Sequence, residues 1–335
     1  MGRASLALAL GLLAAAALPG RAQAHAGLTA PAATSDLATI THTPAGLDAK
    51  VVDGDQRLWL SVPPGTTVLV LGLQGEPYLR YSPAGIEVNT HSTTYYLNRA
   101  RPLAPPSLGA AATPSWKTIS HGRSTSWHED RLHALALAAG SSRIGTLGTW
   151  SVPLVVDGRR TSIGGRLDHA AAPSLLWLWP LVLAAALAPA LMRLRDARLE
   201  REAGWLLVGL ALGASTAARL GRELYGRPTL SSGQLALATL TVAVAVSLAV
   251  LFARREWRVV AAGAIGVLAA YQGLALLATL RRPFVLAALP AWAERTATIV
   301  ALSAGAALFW AVLSGGLSGP ADERARIEVA RSGGG

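Results

Sequence analysis

The rhythm of hydrophobic and polar positions changes near residue 172. Before it, apolar residues alternate with polar ones, or run for strand lengths, between Gly, Pro and Asp. "QRLWLSV", "TTVLVLGL", "PYLRYS", "IEVN" and "WSVPLVV" are the clearest cases. A period of two marks a half-buried strand, and a short β-branched run between turn residues marks a buried one. The Asp-Gly hairpin signal occurs in "VVDGDQ" (Val51–Gln56) and again in "LVVDGRRTSIGG" (Leu154–Gly165). The second predicts a hairpin of Trp150–Val156 with Arg160–Leu167. "RPLAPPSLGAAATP" (Arg101–Pro114) reads as a surface loop. About seven short strands, with turns every 8–12 residues or so, predict an all-β ectodomain over residues 25–172, an immunoglobulin-like β-sandwich.

After the Pro173-Ser174 joint the pattern becomes helical and almost wholly apolar. Five segments, 175–192, 203–218, 235–253, 259–280 and 297–317, approach the roughly 20 apolar residues that cross a hydrocarbon core. Together they predict an α-helical membrane bundle over 173–318, followed by a disordered cytoplasmic tail at 319–335. The second segment is the shortest and carries Ser215 and Thr216. Trp177 and Trp179 in "LLWLWP" suit a headgroup boundary. At the other end, Arg3, the apolar run Leu6–Leu18, the Pro19-Gly20 break and "AQA" compose a signal peptide over 1–24. Cleavage after Ala24 makes His25 the mature N-terminus.

Orientation follows from arginine. With the β domain outside, the inner loops and tail hold ten arginines and the outer loops six, the bias expected when positive loops stay inside. The expected location is the cell membrane, multi-pass, with the N-terminal domain extracytoplasmic and the C-terminus cytoplasmic. The net charge of +11 does not point to nucleic acid. The stretch from His25 to Ala172 carries twelve basic and ten acidic residues, and the remaining excess lies in loops beside the bilayer. The expected partners are the lipid bilayer and a membrane or exported protein, with no nucleic acid.

Cysteine is absent and methionine occurs twice, which removes disulfides, thiolate ligands and soft sulfur coordination. All seven histidines, His25, His42, His91, His121, His128, His133 and His169, precede the helices. The helix interiors are nearly free of acids. Tyr271 and Gln272 are their main polar pair, read as an interhelical hydrogen bond, so a transporter is disfavoured. No serine elbow, phosphate loop or paired-carboxylate cleft is present, so no enzyme is expected.

The densest chemistry is "WHEDRLH", Trp127–His133. Its histidines stand at i and i+5, whereas a zincin helix places them at i and i+4. A continuous helix leaves the two rings roughly 140° apart, and a continuous strand puts them on opposite faces. They converge only if the chain turns or bulges near Glu129–Arg131. Two readings stay open. In one, a strand ends with Trp127 in the core, Glu129 paired with Arg131 and both histidines solvated, on a metal-free structural or interaction module of the cell envelope. There "GEPYLRYS" and "TTYYLNR" supply either an exposed Tyr/Arg surface or core aromatics with a buried Glu76–Arg80 pair. In the other, His25, His128 and His133 form a Cu(II)-type site with Glu129 or Asp130 as oxygen donor. A terminal histidine offers amine and imidazole together, a nitrogen chelate suited to copper.

"VLGLQGEPYLRYSPAGIEVNTHSTTYYLNR" (Val70–Arg99), "PSWKTIS" (Pro114–Ser120), "WHEDRLHAL" (Trp127–Leu135) and "WSVPLVVDGR" (Trp150–Arg159) resemble an uncharacterised family of actinobacterial exported and membrane proteins with C-terminal transmembrane helices. The likeness covers most of the outer domain, and its motif W-H-acid-x-R-x-H falls on Trp127, His128, Glu129, Arg131 and His133. What the resemblance implies is an association with copper-handling exported proteins. "HAGL" after "AQA" is similar to the mature start of periplasmic copper-resistance proteins, which ligate copper through an N-terminal histidine on a β-sandwich. That likeness carries over to His25 alone.

Overall fold

The computed structural model describes residues 31–98, 112–139, 143–179, 197–225 and 232–314. The signal segment with His25, most of the Arg101–Pro114 loop, most of the 175–192 segment and the tail lie outside the described residues. The chain divides into two compact units that meet in sequence between Ala172 and Pro173.

The first unit is antiparallel β throughout. Its strands are β1 (Asp36–His42), β2 (Asp48–Val51), β3 (Arg57–Ser61), β4 (Val68–Leu71), β5 (Pro77–Ser82), β6 (Gly85–Asn89), β7 (Trp116–Ser120), β8 (Ser124–His128), β9 (Gly145–Val156) and β10 (Arg159–His169). Two one-turn helices interrupt them, α1 (Thr93–Leu97) and α2 (Ala134–Ala139). Seven strands form one sheet in the order β1-β10-β9-β4-β5-β6-β7, and three form another, β2-β3-β8. Alternation explains the faces. In β3 Leu58 and Leu60 are buried while Arg57, Trp59 and Ser61 between them are half-buried. These leucines and Trp127 of β8 share one core with Val70, Leu79, Tyr81, Ile86, Val152, Leu154, Ile163 and Leu167 of the larger sheet. The unit is therefore a sandwich, with strands divided seven to three rather than near-evenly as in an immunoglobulin domain.

Both Asp-Gly signals make turns. Asp157 and Gly158 sit at φ 48° and 80°, the left-handed pair that a two-residue hairpin needs. The strands they join pair from Val156↔Arg159 to Gly145↔His169, with a bulge between Thr146 and Gly148, and are longer than the pattern predicts. In the other turn Gly54 has φ 79°, and its carbonyl accepts from Ala38 N–H of β1 at 3.0 Å. That bond ties the turn to the larger sheet.

Among its described residues the second unit contains four helices long and apolar enough to cross a membrane: α3 (Ala197–Leu224), α4 (Ser232–Ala253), α5 (Arg258–Ala275) and, after the short α6 (Ala278–Arg281), α7 (Ala291–Leu313). The segment expected at 203–218 is an apolar span of 23 residues, Glu202–Leu224. Ser215 does not interrupt it, because its hydroxyl donates to Ala211 O at 2.6 Å on its own helix. The helix expected from Ala297 begins at Ala291 and so takes in Glu294 and Arg295. Gly266 of α5 and Gly305 of α7 let two backbones approach: a Cβ on Gly305 would stand 2.8 Å from Gly266 O. Of the polar pair expected to bond between helices, Gln272 is buried and Tyr271 is exposed.

Candidate metal centre

"WHEDRLH" is a strand that turns. β8 pairs with β3, setting Leu58 opposite Trp127 and Arg57 opposite His128. The strand then stops, because Glu129 turns its carboxylate inward and caps a 3-10 turn over Asp130–Leu132. Only 1% of the Glu129 side chain is exposed. It accepts from Trp127 Nε1 at 2.9 Å, from Arg131 Nε at 2.6 Å and from Arg131 Nη2 at 2.9 Å. Arg131 also donates to Leu71 O of β4 at 3.1 Å, and Glu129 N–H bonds Gln56 O at 2.9 Å. The turn is thus pinned to the larger sheet on one side and to the first Asp-Gly loop on the other.

This turn brings His128 and His133 together. Their ring centroids are 5.5 Å apart at 46°, which neither a straight strand nor a helix allows. Asp130 lies between them, its Oδ1 3.0 Å from His128 Nε2 and 3.9 Å from His133 Nε2. One ligand-type atom from each of the three lies within 4.8 Å of the other two. The histidine side chains are 19% and 23% exposed and Asp130 35%, so they are shielded without being sealed. The Nδ1 atoms of both histidines are buried with no hydrogen-bond partner among the described residues. An ionised carboxylate only accepts, so His128 donates through Nε2 and its neutral form carries its free lone pair on Nδ1. Imidazole nitrogens left without a partner in this way are available to a metal ion.

The electrostatics match. His128's hydrogen bond first, and then its charge with those of His133 and Arg131, holds the Asp130 carboxyl below its ordinary range against the opposing effect of burial. A second acid, Asp55 from the Asp-Gly loop, is 8% exposed. Burial pushes its carboxyl up, while His133 and His128 pull it back and Asp36 adds to the rise. Asp36 in turn holds His169 Nδ1 at 2.8 Å. His169 is therefore a hydrogen-bond partner of Asp36.

Of the residues singled out by sequence, His128 and His133 converge, Glu129 holds the turn with both oxygens already engaged, and Asp130 is the acid of the cluster. His25 lies outside the described residues. Two of the three parts of the structural reading of the motif are visible, since Trp127 is in the core and Glu129 pairs with Arg131. The histidines, however, are not solvated rings. Sequence reasoning did not find Asp55, because an Asp after Asp-Gly looks like turn polarity and only the Gly54–Ala38 bond folds it inward.

The "GEPYLRYS" stretch is likewise resolved. Glu76 does not pair with Arg80. It accepts from Ser92 Oγ, Thr94 Oγ1 and Thr94 N–H on one oxygen and from Gln74 N–H on the other. Arg80 instead binds Glu87 at 2.6 Å and stacks 4.4 Å from the Trp116 ring. Tyr78 and Tyr81 are core residues.

Comparison with protein-family models, with curated proteins and with solved structures finds no match to this chain.

Proposed function

We propose that this chain is a multi-pass protein of the cell membrane that presents a metal-binding β-sandwich on the extracytoplasmic side and takes part in copper handling. The ion is Cu(II)-type, held by His128, Asp130 and His133, with the amine and imidazole of a processed His25 completing the set. One observation carries this reading: a six-residue stretch turns back on itself to bring two imidazoles and a carboxylate within 4.8 Å of one another. Nitrogen and carboxylate donors without sulfur suit a borderline divalent ion. The triad alone leaves coordination positions open, which the amine and imidazole of His25 would fill. The resemblance to actinobacterial exported proteins and the "HAGL" start support copper in particular. The signal peptide and the arginine bias support the location.

The test is titration of the purified full-length protein in detergent with Cu(II), and with Zn(II) for comparison. His128→Ala and His133→Ala should each weaken Cu(II) binding by at least about tenfold, in line with loss of one ligand. Binding should also weaken as the pH falls, because protons compete for the imidazole lone pairs. A version with one residue inserted before His25 tests the terminal chelate. Loss of binding in the histidine variants but not in the extended chain assigns the ion to the triad alone. Unchanged binding in both histidine variants removes the site and leaves an envelope interaction module.

A further inference from the structure

A second unusual group lies in the helical unit, independent of the metal centre. Glu294 stands in the first turn of α7 with no exposed surface. Neither carboxylate oxygen has a hydrogen-bond partner among the described residues. Its surroundings have shaped themselves to the side chain. Gly221 of α3 packs against it, and a Cβ at that position would stand 2.8 Å from Glu294 Oε2 and 3.2 Å from Leu289.

Among the described residues, the charged groups of the elements packed on α7 do not neutralise it by contact. On α3, Arg219 pairs with Glu223 at 2.9 Å. Arg222 donates to Leu286 O at 3.0 Å and acts on Glu294 only through space. On α7 itself, Arg295 donates to Thr279 O, Arg282 O and Pro283 O. Arg281 and Arg282 end α6 and follow it, and α5 carries no charge after Arg258. The nearby hydroxyl of Thr298 bonds the Glu294 backbone carbonyl rather than its carboxylate.

An ionised carboxylate stripped of water and of donors is among the costliest groups a fold can hold. A metal cation would need several oxygens around it, and among the described residues Glu294 belongs to no cluster of candidate ligands. A proton needs no further ligand. We propose that Glu294 is a proton-binding site of the helical bundle, a carboxylic acid that releases and regains its proton through the end of α7, one turn away. Ionisable groups inside apolar helices mark such functions more often than structure. The bundle therefore has a chemistry of its own beyond anchoring the β domain.

The probe is a hydrophobic carbodiimide, which modifies protonated carboxyls in apolar surroundings, applied to the full-length protein in detergent and mapped by peptide mass spectrometry. The expected result is an adduct on Glu294, lost in Glu294→Gln and falling severalfold as the pH is raised. The wild-type map stands even if the variant fails to fold. Infrared spectra in light and heavy water provide the second reading: a carboxylic-acid carbonyl band that shifts on exchange and titrates reversibly. Absence of an adduct on Glu294 while other carboxyls react overturns the proposal. So does an adduct indifferent to pH with an unexchanged band, which describes a static buried acid. Protection by sodium ions at constant pH overturns it in favour of a metal cation.

Discussion

At the scale of single residues, three carboxylates of the β unit occupy opposite situations. Glu76 is buried, and burial alone would raise its pKa. The Thr94 N–H and the Ser92 and Thr94 hydroxyls more than compensate, holding it below the usual range. Asp130 is lowered too, chiefly by His128. Asp55 is raised by burial. The signs follow from linkage. Glu76 and Asp130 stabilise the fold at pH above the ordinary carboxylate range, and that contribution disappears as the pH falls through their depressed folded values. Asp55 does the reverse. It costs nothing while protonated, and its penalty grows as the pH rises through its elevated folded value. Glu76→Gln keeps an oxygen for the Ser92 and Thr94 donors but sets an amide N–H₂ against Gln74 N–H. It should cost about 1–3 kcal/mol at neutral pH, the loss of a bond and an unmet donor. Asp55→Asn should raise the melting temperature at neutral pH, because it removes a charge that burial penalises. Melting curves of the two variants across pH check both signs. Equal shifts in the same direction would contradict them.

At the scale of elements, the turn after β8 is the joint on which the proposed metal centre depends. Arg131 reaches from it to Glu129 and to Leu71 O of β4, so Arg131→Met leaves a buried carboxylate without its cation. The expected loss is about 3–5 kcal/mol. Metal affinity should fall with it although no ligand is changed, which parallel unfolding and titration would show. Two of the glycines in the β9–β10 hairpin separate two physical requirements. Gly158 has φ 80° and open space around it, so alanine there incurs only the left-handed penalty of about 1–2 kcal/mol. Gly165 has ordinary dihedrals, but a Cβ there would overlap Thr39 O and the Trp150 ring. Gly165→Ala should therefore be the more damaging, since backbone and a buried ring cannot both yield. Equal melting temperatures for the two variants would overturn that ordering. The hairpin itself was legible in sequence, because Asp-Gly specifies a left-handed pair locally. The crowding at Gly165 was not, because it arises from packing across strands, against the Trp150 ring and against Thr39 O from a strand more than a hundred residues earlier.

For the whole molecule, the testable statement is topology. Five crossings, the four described helices and the segment expected at 175–192, would place the C-terminus inside under the proposed extracytoplasmic position of the β domain. A reporter fused after Gly335 should be active only in the cytoplasm. Activity on the outer side would mean an even number of crossings. The second segment, expected to be the weakest, is a full-length apolar helix, so the 175–192 segment would be the one to re-examine.

The sequence by itself determined what depends on neighbours along the chain. Alternation set the β class, uninterrupted apolar runs set the helices, and Asp-Gly set the hairpin, because each is governed by a period or a dihedral that local residues impose. Tertiary structure decided what depends on distant partners. It chose Asp130 over Glu129 for the histidine cluster, since Trp127, Arg131 and β4 claim Glu129. It drew Asp55 inward through a bond to β1 and paired His169 with Asp36. It also buried Glu294 against a glycine of another helix. A carboxylate looks alike in any sequence. Whether it anchors a turn, binds an ion or holds a proton is decided by the donors and the water that packing leaves around it.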